Sequence, residues 1–175
     1  TISAGAIRAA VTDLGATLVS LWVPDKNGIQ ADVVLGYDDA NGYLTNEGFL
    51  GAVVGRSANR IQGASFPMGG SIVRLPANEG ANNLHSGPDC WNTRLWDVVE
   101  VTENAIRLRL DSPHGDQGFP GNATVTVTYA IENDGLTITY KAVSDKDTAF
   151  NLTNHAYFNL FGQDKPERAM DQELM

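Results

Sequence analysis

The sequence predicts an all-β fold, a large antiparallel β-sandwich occupying residues 1–175 as one domain. Three observations carry this. Apolar and polar residues alternate with period two in short segments. Turn residues separate those segments at intervals of about ten residues. No segment shows sustained helical periodicity.

The first pair of strands spans residues 17–23 and 31–35, with Asn27-Gly28 as the turn signal between them. A second hairpin turns at Met68-Gly69-Gly70, between residues 64–66 and 72–75. Two more strands cover 96–101 and 105–110, separated by Glu103-Asn104. The firmest hairpin covers 124–143. Val125, Val127, Tyr129 and Ile131 alternate with threonines, and after Asn133-Asp134-Gly135 the pattern resumes with Leu136, Ile138 and Tyr140. Asp-Gly is read as the source of the positive φ angles of that turn. The only helix-friendly stretch is 166–175.

Composition narrows the function. With 12 basic and 21 acidic residues the formal net charge is −9, which argues against binding a phosphate backbone and so against a nucleic-acid partner. No apolar run approaches the roughly 18 residues that span a bilayer, so no membrane partner is expected. The single cysteine, Cys90, excludes an intrachain disulfide and fits a reducing compartment, with the cytoplasm as the expected location. His85, His114 and His155 are too scattered for a local metal motif, and no Gly-x-Ser-x-Gly occurs.

Three stretches break the alternation: 55–63, 78–88 and 151–162. Each sets polar or charged residues beside glycines or aromatics, and local rules fail most often at functional sites. In the last, His155 stands among Asn154, Tyr157 and Asn159. A lone histidine is more often a hydrogen-bonded structural residue than a catalyst, but this polar and aromatic setting suits an oriented imidazole and a stacked sugar ring. In the second, Glu79, three asparagines and His85 crowd a loop, either an Asx-rich turn or a rim of groups for hydroxyls. In the first, Arg56, Asn59 and Arg60 follow the apolar run 52–54, as at a strand end offering polar groups to a ligand.

Together these segments resemble the aldose 1-epimerase family. Gly55-Arg-Ser-Ala-Asn-Arg-Ile61 resembles its GRxANRI, and Asn82-Asn-Leu-His-Ser-Gly87 its N-x-LHGG. Asp111-Ser-Pro-His-Gly-Asp-Gln-Gly-Phe-Pro-Gly121 is similar to SPDGxEGYPG, and Asn151-Leu-Thr-Asn-His-Ala-Tyr-Phe-Asn-Leu160 to NLTNHxYFNL. Asp32-Val-Val-Leu-Gly36 and Gly42-Tyr43 also fit.

The resemblance implies a galactose-mutarotase-like supersandwich, here its N-terminal half. It implies interconversion of the α and β anomers of a free hexose, galactose or glucose, without a cofactor or metal. It makes His155 the catalytic acid-base residue and Asn59, Arg60 and His85 substrate-contacting, with Tyr157 and Arg56 as weaker candidates. Ser86 stands where the family has Gly, His114 where it has Asp, and Cys90-Trp91-Asn92 replaces the usual segment. The family's catalytic Glu and a substrate-binding Asp belong to a second half outside these residues, so Glu79 or Asp116 is the base if this chain acts alone. Two alternatives stay open: a non-catalytic carbohydrate-binding module, and a hexose-6-phosphate epimerase using Arg56, Arg60 and Arg74. The oligomeric state is open.

Overall fold

The computed structural model describes residues 1–173. A first antiparallel sheet takes β1 (Ile2–Ala4), β2 (Ile7–Val11), β3 (Leu18–Pro24) and β4 (Gln30–Asp32) in sequence order. A short helix α1 (Ala40–Thr45) and the two-residue strands β5 (Val53–Val54) and β6 (Arg60–Ile61) follow. Next come the hairpin β7 (Ser65–Met68) and β8 (Ser71–Arg74), and then β9 (Asn83–Leu84), which pairs with β6. A second four-stranded antiparallel sheet holds β10 (Asp97–Val101), β11 (Ala105–Ser112), β12 (Ala123–Glu132) and β13 (Gly135–Ser144). Last is β14 (Thr153–Asn154), which pairs with β5.

The two large sheets pack face to face, as the alternation predicts. Along β12 every second residue from Ala123 to Ile131 is buried, while the intervening threonines are partly exposed. Ile2, Ala9, Leu18 and Leu21 from the first sheet meet Leu108, Val125, Val127 and Tyr129 from the second. Trp91 and Trp96 fill the same core, edge to face with centroids 5.7 Å apart. Each large side chain buried this way contributes roughly 1.5–3 kcal/mol relative to exposure.

The β12–β13 hairpin keeps an unbroken register from Ala123↔Ser144 to Glu132↔Gly135. Its turn differs from the sequence reading. The positive φ angles lie on Asn133 (51°) and Asp134 (58°), and Gly135 is already the first strand residue. Asn and Asp tolerate this region because their short side chains bond locally.

Two further differences concern helices. α1 was not expected. It holds only six residues, too few for periodicity to show, and is announced by caps alone: Asp39 accepts from Asn41 N–H at 2.8 Å, and Asn46 closes the end with φ 37°. The helix-friendly stretch 166–175 forms only a 3₁₀ turn, Pro166–Asp171, and residues 174 and 175 lie outside the described residues.

One buried charge ties the loops to the sheets. Arg56 has no solvent exposure. Its Nε donates to Ser112 Oγ at 2.9 Å. Its Nη1 donates to Pro120 O (2.8 Å) and Thr148 Oγ1 (3.2 Å). Its Nη2 donates to the carbonyls of Ser112 (2.7 Å), Pro113 (3.1 Å) and Gly121 (2.9 Å). The expectation that Arg56 offers polar groups to a ligand is therefore corrected: its donors are engaged by protein, and burial lowers its pKa while nearby Asp116 opposes the shift.

Replacing Arg56 by Met strands this set of acceptors, and we expect a loss of several kcal/mol, on the order of 3–5. Gly51 has φ 65°, and a Cβ there would collide with the Leu18 carbonyl, so Gly51→Ala costs more than about 2 kcal/mol. Denaturant unfolding of each variant checks both values, and wild-type midpoints would refute them.

Candidate active site

The three irregular segments meet in one cavity of about 590 Å³, whose wall includes Asn59, Arg60, His85, His155 and Tyr157. All five site residues named from the sequence are thus brought together. The His155 ring centroid lies 5.3 Å from that of His85, edge to face, and 5.2 Å from that of Tyr157. Phe49 completes the aromatic surround, 4.8 Å from His85 and 5.6 Å from His155.

His155 is set by its backbone. β14 pairs with β5 at Thr153↔Val54 and Asn154↔Val53. His155 N–H then donates to Ala52 O at 2.8 Å, and Gly51 N–H donates to His155 O at 3.1 Å. Asn154 fastens the segment from beneath. Its Nδ2 donates to Gly51 O (2.7 Å) and to the Tyr129 hydroxyl (3.1 Å), which itself donates to Ala16 O at 2.6 Å. The backbone is therefore held from both sides, while among the described residues no hydrogen bond reaches the His155 ring.

His85 is held differently. Asn59 N–H donates to His85 Nδ1 at 3.1 Å, and His85 N–H donates to Asn59 O at 3.1 Å. A ring nitrogen that accepts is unprotonated, so this bond fixes the neutral tautomer with its proton on Nε2. Burial lowers the His85 pKa, and the charges of His155 and Arg60 add to the effect against a small opposing pull from Glu79. His85 is thereby a hydrogen-bond donor at neutral pH.

Arg60 is exposed and forked onto Glu79, with Nε to Oε2 at 2.7 Å and Nη2 to Oε1 at 2.5 Å. The hydrogen bonds from Arg60 hold the Glu79 carboxyl below the usual carboxylate range. Glu79 is thus an occupied, weakened base. Asp116 is no base for this cavity either: it pairs with Arg94 at 2.8 Å and accepts from the Ser112 hydroxyl, away from the lining residues. Burial works against the Asp116 carboxylate, but those hydrogen bonds outweigh it and lower its pKa. Both alternatives for a base within the chain are corrected accordingly. Arg74 lies on β8, also outside the lining.

Among the described residues no carboxylate lines the cavity, and no group of three His, Cys, Asp or Glu could hold a metal ion. Sequence reasoning missed Phe49, whose φ of 57° aims it at both imidazoles, and the fastening role of Asn154. The signal for Phe49 was the Asn46 cap that precedes it, since Asn46 Oδ1 accepts from Leu50 N–H at 2.8 Å and folds the segment back.

The aldose 1-epimerase family model matches residues 1–175. Galactose mutarotase of Mus musculus is 43% identical over 152 residues, 87% of this chain and 44% of that protein. Aldose 1-epimerase of Haemophilus influenzae is 44% identical over 155 residues, 88% of this chain and 45% of that protein. Among solved structures, the GalM/aldose epimerase homologue from C. elegans superposes with a TM-score of 0.84 at 36% identity, covering 90% of this chain and 49% of that one. Galactose 1-epimerase from Lactobacillus acidophilus gives a TM-score of 0.78 at 32% identity, covering 90% and 47%. The chain spans a little under half the length of these relatives. With three of the four sequence motifs gathered at one cavity and the family model matched end to end, the chain belongs to the aldose 1-epimerase family.

Proposed function

We propose that this chain carries the acid and hydroxyl-holding half of a site that interconverts the α and β anomers of a free hexose, galactose or glucose. The observation that carries it is the pair of imidazoles 5.3 Å apart in one cavity, one locked as a neutral donor and the other free at its ring. Opening a cyclic hemiacetal requires a proton to reach the ring oxygen while another leaves the C1 hydroxyl. His155 supplies the first, since an imidazole can give and take a proton near neutral pH. His85 Nε2–H and the Arg60 guanidinium hold sugar hydroxyls, the Tyr157 ring walls the sugar face, and Phe49 packs against both imidazoles. Orientation of this kind lowers the barrier further. After rotation about C1–C2 the transfers run in reverse, with no net change in protons and no cofactor.

A carboxylate base completes the reaction. Among the described residues no cavity-lining residue supplies one, and the relatives extend over about twice this length. The proposal therefore places the base in a segment corresponding to their second half, with residues 1–175 as one portion of that sandwich domain. The cytoplasm is proposed as its compartment. An unphosphorylated sugar is favoured over a hexose 6-phosphate. Arg56 is buried against carbonyls, Arg60 is neutralised by Glu79 and Arg74 lies outside the cavity, so no free guanidinium awaits a phosphate there.

Polarimetry on freshly dissolved α-D-galactose tests this, using the chain joined to a second half of the kind its relatives carry. His155→Ala should lower kcat/KM by about 10²–10⁴-fold, and full activity in that variant would remove His155 from the mechanism. Glu79→Gln loosens Arg60 and should raise KM by about two- to fivefold with kcat unchanged. A collapse of kcat instead would make Glu79 the base. Saturable galactose binding without faster relaxation of optical rotation would identify a binding module.

A further inference from the structure

We propose that Ser86 is a positioning residue for His85. Its hydroxyl, clasped to both main-chain groups of Ser57, sets where the imidazole stands and which ring nitrogen carries the proton. The inference rests on His85 acting as a donor to a sugar hydroxyl.

The β6–β9 ladder runs Ile61↔Asn83 and Arg60↔Leu84, and Asn59 and His85 extend it through two hydrogen bonds. The next rung cannot form by main chain alone, because His85 (φ 53°) and Ser86 (φ 73°) turn the backbone away. A hydroxyl takes its place. Ser57 N–H donates to Ser86 Oγ at 2.7 Å, and Ser86 Oγ donates to Ser57 O at 3.0 Å. Ser86 has no solvent exposure, so water does not compete for either bond.

On its other side, the same segment grips the His155 strand. Ala58 N–H donates to Asn151 O at 2.8 Å, and Asn151 N–H donates to Arg56 O at 2.8 Å. Residues 56–59 thus lie between the two histidine segments, and the Ser86 hydroxyl fixes the spacing on the His85 side. The charged and titratable groups around His85 are His155, Arg60, Glu79 and Cys90, whose thiol donates to His85 O at 3.2 Å, with Phe49 against the ring face. None of them contacts Nδ1, which leaves the Asn59 amide to choose the tautomer and Ser86 to hold that amide in reach.

Long-range ¹H–¹⁵N spectra of the histidine rings test the inference in the 175-residue chain. Only three histidines are present, and His114, whose Nδ1 accepts from Gly121 N–H at 2.9 Å, is an internal reference. In the wild type His85 should show the single Nε2–H tautomer between about pH 6 and 8. Two variants are compared. Ser86→Gly tolerates the positive φ and removes the hydroxyl, and Ser86→Cys keeps a side chain with a weak donor and acceptor. In both, His85 should become an exchanging mixture of tautomers while His114 is unchanged. In the longer enzyme KM should rise roughly tenfold with little change in kcat. A folded variant that keeps the wild-type His85 signature overturns the proposal. Loss of the fold in both also overturns it, since the hydroxyl would then be a general stability element. The spectra need no turnover, so a wild-type longer enzyme that keeps the His85 tautomer but does not speed galactose mutarotation would sink the proposed function instead.

Discussion

The site depends first on a guanidinium that never meets water. An arginine side chain cannot shed its charge, so burying Arg56 is tolerable only where acceptors surround it. The loop between β11 and β12 supplies most of them, with carbonyls from Ser112, Pro113, Pro120 and Gly121, and Thr148 adds a hydroxyl. The same residue uses its own carbonyl to accept from Asn151 N–H, four positions before His155. One residue therefore joins the second large sheet, the loop that follows β5 and the strand that presents the imidazole. Two motifs far apart in sequence are two sides of a single polar joint.

Around that joint the structure divides labour between regular and irregular backbone. The long β11–β12–β13 ladders form a stiff floor whose buried face needs only alternation. The cavity is made where ladders are two residues long, at β5–β14 and β6–β9. Such short pairings specify little, and side chains supply what the ladders lack: Asn154 on Gly51 and Tyr129, Ser86 on Ser57, and the His85 ring on the Asn59 amide. Non-glycine residues with positive φ gather here, among them Phe49, Asn59, His85 and Ser86. Backbone held in such conformations is stored strain, and it persists where surrounding bonds over-determine it.

This division explains what the sequence reveals. The β12–β13 and β7–β8 hairpins are legible because a period of two and a turn signal are local properties. His155, His85, Asn59, Arg60 and Tyr157 are legible as candidates because polar and aromatic residues interrupt that period. Arg56 is misread by composition, since its acceptors lie 56 or more positions away and nothing local announces burial. Arg60, four residues on and of the same type, is exposed. Phe49 and α1 escape for a related reason: caps and left-handed residues, rather than periodicity, direct them.

The electrostatics of the pair then assign roles under the proposed reaction. Burial lowers the His85 pKa, and the charges of His155 and Arg60 act in the same direction. Protonating His85 would also force Asn59 N–H to face a second donor, at the cost of a hydrogen bond in a partly buried place. The lock on His85 therefore keeps that ring a neutral donor, and in the proposed reaction the acid is His155. The nearby Glu79 is not a free carboxylate, because Arg60 engages both of its oxygens. The Arg60–Glu79 fork and the cavity lining together leave the proposed site, among the described residues, without a free carboxylate of its own, so in the proposed reaction the base has to reach the sugar from another segment.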